Sequence, residues 1–173
     1  MADREMEALL ASIPDIADGR GRKALYIGAS PIRAYLLGDL ARWGWGTDIL
    51  EIHPPNADFA RRAFPCRDVV LGDVRDAATL LAGRRYGLAL WWHGPEHIPR
   101  EDLPATLAAL ASLSTLTVLS CPRGRSPQGP VDCNPHETHL WDPQPADFAA
   151  LGLSAIAFPR PPDPDGILAW GRG

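Results

Sequence analysis

Short apolar runs alternate with amphipathic stretches along most of the chain. Five of the runs predict β-strands, at residues 23–27, 47–52, 69–71, 87–92 and 115–120. Several of these strands are apolar at nearly every position, which is typical of strands covered on both faces. The alternation of strands with helical stretches predicts an α/β protein with a parallel sheet and helices on both sides.

The helical stretches have apolar residues at every third or fourth position, and they cover residues 5–13, 31–43, 56–64, 76–81 and 100–113. In the second stretch, Ser30 is a good N-cap, Pro31 suits the first helical position, and Gly44 follows the end. We therefore expect this helix to begin directly after the first strand. Its free backbone amides would then attract an anion.

The last third of the chain has a different pattern. Residues 121–145 form a long segment rich in proline and glycine, and loops of this length are often functional. We expect this loop at the active site. A predicted helix at 145–151 leads into two strands, at 153–158 and 166–170, which the turn PRPPDPDG joins as an antiparallel pair. The sheet is thus expected to have seven strands.

Length, charge and cysteine content narrow the class of protein. The 173 residues suit one domain, which we expect to span residues 1–173 with an N-terminal helix in residues 1–20. The net charge of -4 disfavours nucleic acid as a partner, and three scattered cysteines argue against a disulfide framework. No apolar run approaches the roughly 20 residues of a membrane span. We expect a cytoplasmic protein that contacts no membrane, and leave its oligomeric state open.

The segment ALYIGASPIRAYLL follows the pattern of a strand, a glycine loop and a helix. Gly28 would let a ligand approach the backbone closely, and Ala29 and Ser30 would continue the cradle. Arg33 is unfavourable near the positive end of a helix dipole. It therefore either meets a ligand carboxylate or is a solvated surface arginine, and the sequence leaves both interpretations open.

Acidic residues follow the next two predicted strands. Glu51 is flanked by apolar residues, and an acid at the end of this strand can accept hydrogen bonds from ribose hydroxyls. The alternative is a surface glutamate. Gly72 and Asp73 come after the third strand, where they could contact an adenine amino group. The alternative for Asp73 is an N-cap for the following helix.

The fourth strand ends in the unusual sequence WWHGPEH. Of Trp91 and Trp92, one is expected to point into the core and the other to line the pocket. His93 is the first candidate for acid–base catalysis because its charge can change near neutral pH, and Glu96 and His97 are the second candidates.

The long loop adds Cys133, His136 and His139 to the histidines of the fourth strand. Spacings of three residues between His93 and His97 and of two between His136 and His139 would be tolerable for zinc. Paired cysteines are lacking, however, and prolines constrain the loop. We therefore predict no metal site here, and expect pocket or structural histidines.

Taken together, these positions resemble the class I S-adenosylmethionine-dependent methyltransferases from Lys23 to Trp170. ALYIGAS matches the family's first motif, GLALWWHGPEH its fourth-strand motif, and WDPQPADFAALGLSAIAF its late helix and last hairpin. The resemblance implies a three-layer, Rossmann-like fold with a mostly parallel seven-stranded sheet whose last strand is antiparallel. It also implies S-adenosylmethionine as cofactor, bound by the residues after the first four strands: Gly28, Ala29, Ser30, Glu51, Gly72, Asp73, Trp91 and Trp92.

The resemblance further implies methyl transfer to an acceptor, which we expect to be a small molecule bound near Trp92, His136 and His139. The chain departs from the family at Tyr26, where an acid is usual, and at Ser30, where a glycine is usual. These departures motivate an alternative, a non-catalytic binding or regulatory module on a degenerate methyltransferase fold. A nicotinamide-binding Rossmann protein is less consistent, since its pyrophosphate demands the fuller glycine fingerprint.

Overall fold

The computed structural model describes residues 2–31 and 34–173, with the side chains of residues 2 and 3 left aside. In this part of the chain, seven strands form one sheet: β1 (Lys23–Ile27), β2 (Gly46–Glu51), β3 (Asp68–Leu71), β4 (Leu88–Trp92), β5 (Leu116–Pro122), β6 (Ser154–Phe158) and β7 (Gly166–Arg172). Their order is β3-β2-β1-β4-β5-β7-β6, and β7 runs antiparallel to both of its neighbours. The predicted α/β class, strand number and antiparallel last strand are confirmed.

Six α-helices flank the sheet within the described residues: α1 (Ala2–Ser12), α2 (Tyr35–Arg42), α3 (Pro54–Ala63), α4 (Ala77–Leu80), α5 (Leu103–Leu113) and α6 (Pro145–Ala149). Short 3-10 turns precede α4 and α5 and occur at Pro95–His97 and Pro135–Glu137. The helix predicted at 100–113 therefore exists, but its first turn is tighter than an α-helix.

The sheet separates two hydrophobic clusters, because successive strand residues point to opposite faces. Tyr26 and Trp92 pack with residues of α1, α2 and α3 on one face. Leu25 and Trp91 pack with residues of α4, α5 and α6 on the other. Both tryptophans are thus buried, with exposures of 3% for Trp91 and 1% for Trp92. They point to opposite faces of the sheet, as predicted, and because both faces are covered each packs in a core cluster as well as bordering a cleft.

The start of α2 differs from the sequence prediction. Pro31 and Ala34 lie in a turn, the carbonyl of Ser30 accepts the amide of Ala34 at 2.9 Å, and the helix begins at Tyr35. The N-cap of this helix is Ala34 rather than Ser30. The position of Ser30 at the edge of the same cleft explains why local capping chemistry did not decide the helix start. Ile32 and Arg33 lie outside the described residues, and with them both interpretations of Arg33.

The strand order reverses beside β1, which pairs with β2 on one side and β4 on the other. In an open α/β sheet such a switch point leaves a crevice at the carboxyl ends of the strands. The loops that follow β1, β2, β3 and β4 therefore converge on one edge of the sheet.

Candidate functional site

A cleft lies at this carboxyl edge of the sheet. Its empty volume is about 710 Å³, counting the part that opens to solvent. The ends of the first four strands form its floor. Asn134, His136 and Glu137, from the loop at residues 123–144, form part of its wall. We call this segment the roof loop.

Most of the residues predicted for the site line this cleft: Gly28, Ser30, Glu51, Gly72, Asp73, Trp91, Trp92, His93, His97 and His136. Three others lie behind its wall. Ala29 and Glu96 are fully buried, and His139 packs against His97 with ring centroids 5.0 Å apart. The convergence follows from topology, since parallel strands end at the same edge.

The loop after β1 is shaped by Gly28. Its φ of +81° lies in the left-handed region, which glycine adopts without strain. A Cβ added to Gly28 would meet no atom of the described residues within 4 Å, so this backbone borders open space in the described structure. The Gly28 amide donates to the Leu50 carbonyl at 3.0 Å, which ties the loop to β2.

Glu51 is the acidic group at the centre of the floor, and it is 3% exposed. Its Oε2 accepts the Ala29 amide at 2.6 Å, and its Oε1 accepts the His53 amide at 2.7 Å. Burial raises the pKa of the Glu51 carboxyl, and these two amides oppose that rise. Each carboxylate oxygen keeps a second lone pair with which it can accept a hydrogen bond from a ligand.

Asp73 has the structural role that the sequence left as an alternative. It caps the 3-10 turn after β3 by accepting the Arg75 amide at 2.9 Å, and the Arg75 side chain bonds it through Nε at 3.0 Å. Burial by itself raises the pKa of Asp73, but the bonds from Arg75 outweigh it and lower that pKa. Arg75 also reaches Asp102 at 3.0 Å. Asp73 thus lines the cleft while it closes the turn.

His93 is held in an unusual conformation at the end of β4. Its φ of +51° is in the left-handed region, which is uncommon for any residue with a side chain. The ring is 3% exposed, with Nε2 lying 2.9 Å from Oε1 of Glu5 and Nδ1 lying 3.7 Å from Oε1 of Glu96. Both ring nitrogens of the predicted base therefore face carboxylates.

Glu5 organises a buried polar network that the sequence analysis missed. Besides His93, its carboxylate accepts bonds from the Tyr35 hydroxyl and from Nε1 of Trp92 at 3.2 Å, and it pairs with Nε of Arg160 at 3.2 Å. Burial by itself raises the pKa of Glu5, but the His93 and Tyr35 bonds and the Arg160 charge lower it to about 2. Through this network, α1 is fastened to the floor of the cleft.

A signal for Glu5 exists in the sequence. Glu5 precedes Leu9 by four positions and Ile13 by eight, so it belongs to the apolar stripe of the N-terminal helix, and all three are buried. An acid on an apolar stripe needs a buried partner. The partner itself could not be deduced, because Arg160 is far away along the chain.

The predicted cluster of Cys133 and the histidines separates into exposed and partly or fully buried members. Cys133 and His136 are exposed. His97 and His139 instead turn their Nε2 atoms towards Oε1 of Glu96, each at 3.9 Å. Burial lowers the pKa of His139, which favours the neutral ring.

The roof loop is attached to the segment after β4 by several hydrogen bonds, one of which joins Nδ1 of His97 to the Thr138 carbonyl at 3.1 Å. The Leu140 amide donates to the Glu96 carbonyl at 2.8 Å, and Nε1 of Trp141 donates to the Pro95 carbonyl at 3.0 Å. The 3-10 turn Pro135–Glu137 is thereby held at the cleft.

No helix in the described part of the chain has both the length and the apolar character needed to cross a membrane.

Comparison with known proteins finds similarity in three-dimensional structure but not in sequence. No protein-family model matches the sequence, and no curated protein resembles it. Among solved structures, the N-methyltransferase NodS from Bradyrhizobium japonicum WM9 has a TM-score of 0.67 at 13% identity, over 99% of this chain and 96% of its own. The magnesium protoporphyrin IX methyltransferase ChlM from Synechocystis PCC 6803, with bound S-adenosylhomocysteine, has a TM-score of 0.65 at 15% identity, over 98% and 82%.

A third similar structure is the 1,6-didemethyltoxoflavin-N1-methyltransferase of Burkholderia thailandensis, with a TM-score of 0.67 at 19% identity, covering 99% of this chain and 79% of the enzyme. These likenesses extend over nearly the whole chain and agree with the strand order seen here. The chain therefore has the Rossmann-like fold of the class I S-adenosylmethionine-dependent methyltransferases.

Proposed function

We propose that the protein is an S-adenosylmethionine-dependent methyltransferase that acts on a small molecule. The observation that carries this proposal is the buried carboxylate of Glu51, which lies at the end of β2 beside the Gly28 loop and borders the cleft. An acid in this position suits a ribose, whose hydroxyls donate hydrogen bonds to it. Similar folds crystallised with S-adenosylhomocysteine support the same cofactor.

The residues of the floor fit the parts of this cofactor. The open space beside Gly28 admits a ligand against the backbone, and Glu51 offers lone pairs to the ribose. Ile27, Leu50 and Val74 add apolar surface for the adenine ring. When bound, S-adenosylmethionine supplies a methyl group on a sulfonium, which an acceptor nucleophile displaces in line; orientation provides much of the rate.

The protein itself would bind the cofactor and the acceptor, orient them for the transfer, and limit the access of water to them. The roof loop would shield the cleft, and the polar groups of Asn134 and His136 would meet the acceptor. A base is required when the acceptor nucleophile carries a proton. Nε2 of His93 faces Glu5 and Nδ1 faces Glu96. His93 can therefore act as the base after its ring turns away from one of these carboxylates.

A small-molecule acceptor is supported by two observations. The chain has a net charge of -4, which does not suit a nucleic acid. In addition, the similar folds include enzymes named for a didemethyltoxoflavin and a magnesium porphyrin as substrates.

The second candidate is a non-catalytic module that binds the cofactor or a partner. It is favoured by the engagement of both His93 nitrogens and by Tyr26, which is fully buried in the hydrophobic core where the family usually has an acid. The two candidates differ in turnover. Methyl-labelled cofactor incubated with a fractionated small-molecule extract would label a product if the protein is an enzyme, and would only be bound if it is a module.

Calorimetric titration with S-adenosylhomocysteine tests the proposed cofactor. We expect saturable binding at one site, and a loss of roughly 10- to 100-fold in Glu51→Gln, because a charged hydrogen-bond acceptor is replaced. Glu101→Gln changes an exposed acid in the same way and should bind like the wild type. A wild-type protein that shows no binding at millimolar ligand would overturn the proposal.

A further inference from the structure

Three imidazole rings are turned towards a single buried carboxylate, that of Glu96. Nε2 of His97, Nε2 of His139 and Nδ1 of His93 lie 3.9, 3.9 and 3.7 Å from its Oε1. Glu96 is fully buried, and neither of its oxygens has a hydrogen-bond partner among the residues that the structure describes. Burying an unpaired carboxylate is costly, and a positive charge beside it would offset that cost.

In His97 and His139, the hydrogen bond made by Nδ1 determines the protonation of Nε2, the nitrogen that faces Glu96. Nδ1 of His97 lies 3.1 Å from the carbonyl oxygen of Thr138, and Nδ1 of His139 bonds the carbonyl oxygen of Ser126. A carbonyl oxygen can accept but not donate, so each Nδ1 carries the proton. In the neutral rings, the Nε2 lone pairs then point at a carboxylate that is also an acceptor. A cation between them would resolve this conflict.

We propose that Glu96, His97 and His139 bind a divalent transition-metal ion. Their donor atoms all lie within 4.8 Å of one another. In a tetrahedral zinc site with bonds of about 2.1 Å, ligand atoms are separated by roughly 3.4 Å. The observed 3.9 Å separations from Glu96 need to shrink by about half an ångström.

The donor set also selects the type of metal. Two imidazoles and a carboxylate suit Zn²⁺, Co²⁺, Ni²⁺ or Fe²⁺, whereas Mg²⁺ and Ca²⁺ prefer oxygen ligands. The carbonyl bonds at both Nδ1 atoms are the outer contacts that usually orient metal-bound histidines. Two further donors are near: Nδ1 of His93, and Oε2 of Glu137, which lies 3.9 Å from Nε2 of His97.

The position of the site suggests what the metal does. Glu96 and His97 belong to the 3-10 turn after β4, while His139 belongs to the roof loop. A bound ion would therefore link the roof loop to the sheet edge beside the cleft, adding to the hydrogen bond between Leu140 and Glu96. The inference rests on the geometry of these side chains and holds whether or not the protein is a methyltransferase.

Metal titration of the protein, after treatment with a chelator and without any cofactor, tests this inference. We expect Zn²⁺ to bind with a stoichiometry of one by calorimetry, and Co²⁺ to give the visible absorption of a low-symmetry site with nitrogen and oxygen ligands. Mg²⁺ should not displace Co²⁺. His139→Ala and Glu96→Gln should each weaken Zn²⁺ binding at least about tenfold, with circular dichroism confirming that both variants are folded.

The matched control is a double variant of exposed roof-loop residues, Cys133→Ser with His136→Ala, which should bind Zn²⁺ within about twofold of the wild type. Absence of binding at millimolar Zn²⁺ would overturn the inference. Wild-type affinity in folded His139→Ala or Glu96→Gln, or loss of affinity in the control, would overturn it equally. If both variants fail to fold, the Co²⁺ spectrum of the wild type decides, because thiolate charge-transfer bands would show a cysteine ligand and overturn the inference.

Discussion

Replacing Glu5 with glutamine tests whether the buried network fastens α1 to the sheet. The substitution keeps the shape of the side chain but removes the charge that faces His93 and Arg160. Removing one partner of a buried ion pair typically costs about 3–5 kcal/mol. The pKa of Glu5 gives a second value for this cost. It is lowered from 4.5 to about 2 in the folded protein, which corresponds to roughly 3 kcal/mol of stabilisation of the folded state. We therefore expect Glu5→Gln to lower the free energy of unfolding by about 3 kcal/mol at pH 7.

The pH dependence gives this prediction a distinctive sign. Because the folded-state pKa of Glu5 is depressed, its contribution to stability is fully present above about pH 4.5. It is lost as the pH falls towards 2, where the folded protein also takes up the proton. The stability difference between wild type and Glu5→Gln should accordingly shrink across this window.

Urea denaturation followed by circular dichroism at a series of pH values measures both effects. Glu7→Gln is the matched control, because Glu7 lies on the same helix and is exposed. We expect it to stay within about 0.5 kcal/mol of the wild type. A Glu5→Gln protein as stable as Glu7→Gln at pH 7, or a difference that is unchanged down to pH 2, would refute the reasoning.

Three further predictions follow from the fold and the cleft. Gly28→Ala should lower the free energy of unfolding by roughly 1–2 kcal/mol because φ is positive there, and its added Cβ should weaken S-adenosylhomocysteine binding. Denaturation measures the first effect and calorimetry the second. An unchanged affinity would count against a cofactor that lies on the Gly28 backbone. Tyr26→Asp should destabilise the fold by about 2–5 kcal/mol, because it places a carboxylate in the core; a stable variant with tighter cofactor binding would contradict this. Cys133 is exposed and should react with a thiol reagent in the native protein. Cys121 is fully buried, and burial raises the pKa of its thiol well above the usual value, so it should react only after unfolding. Rapid labelling of Cys121 in the native protein would contradict its placement.

The sheet could be predicted from the sequence because its strands are continuous apolar runs with glycine or polar ends. β1 was predicted with the bounds that the structure has. Once parallel strands are assumed, Gly28 and Glu51 must lie at the same edge, since both follow strand ends. The floor of the cleft thus follows from topology, before any side-chain geometry is known.

The parts that could not be predicted depend on segments without periodicity. The sequence pattern does not determine the path of the roof loop, so the meeting of His139 with Glu96 was not foreseen. The partnership of Glu5 with Arg160 likewise joins opposite ends of the chain. At Ser30, good capping chemistry predicted a helix start, but the residue borders the cleft and the helix begins later.

A crystal structure of the protein with S-adenosylhomocysteine most directly tests the central claim that this cleft is a cofactor site. The account predicts the nucleoside at the carboxyl edge of the sheet, with ribose hydroxyls within hydrogen-bond distance of the Glu51 carboxylate and the ligand against the Gly28 backbone. A ligand bound elsewhere, or one that leaves Glu51 without a contact, would contradict the account.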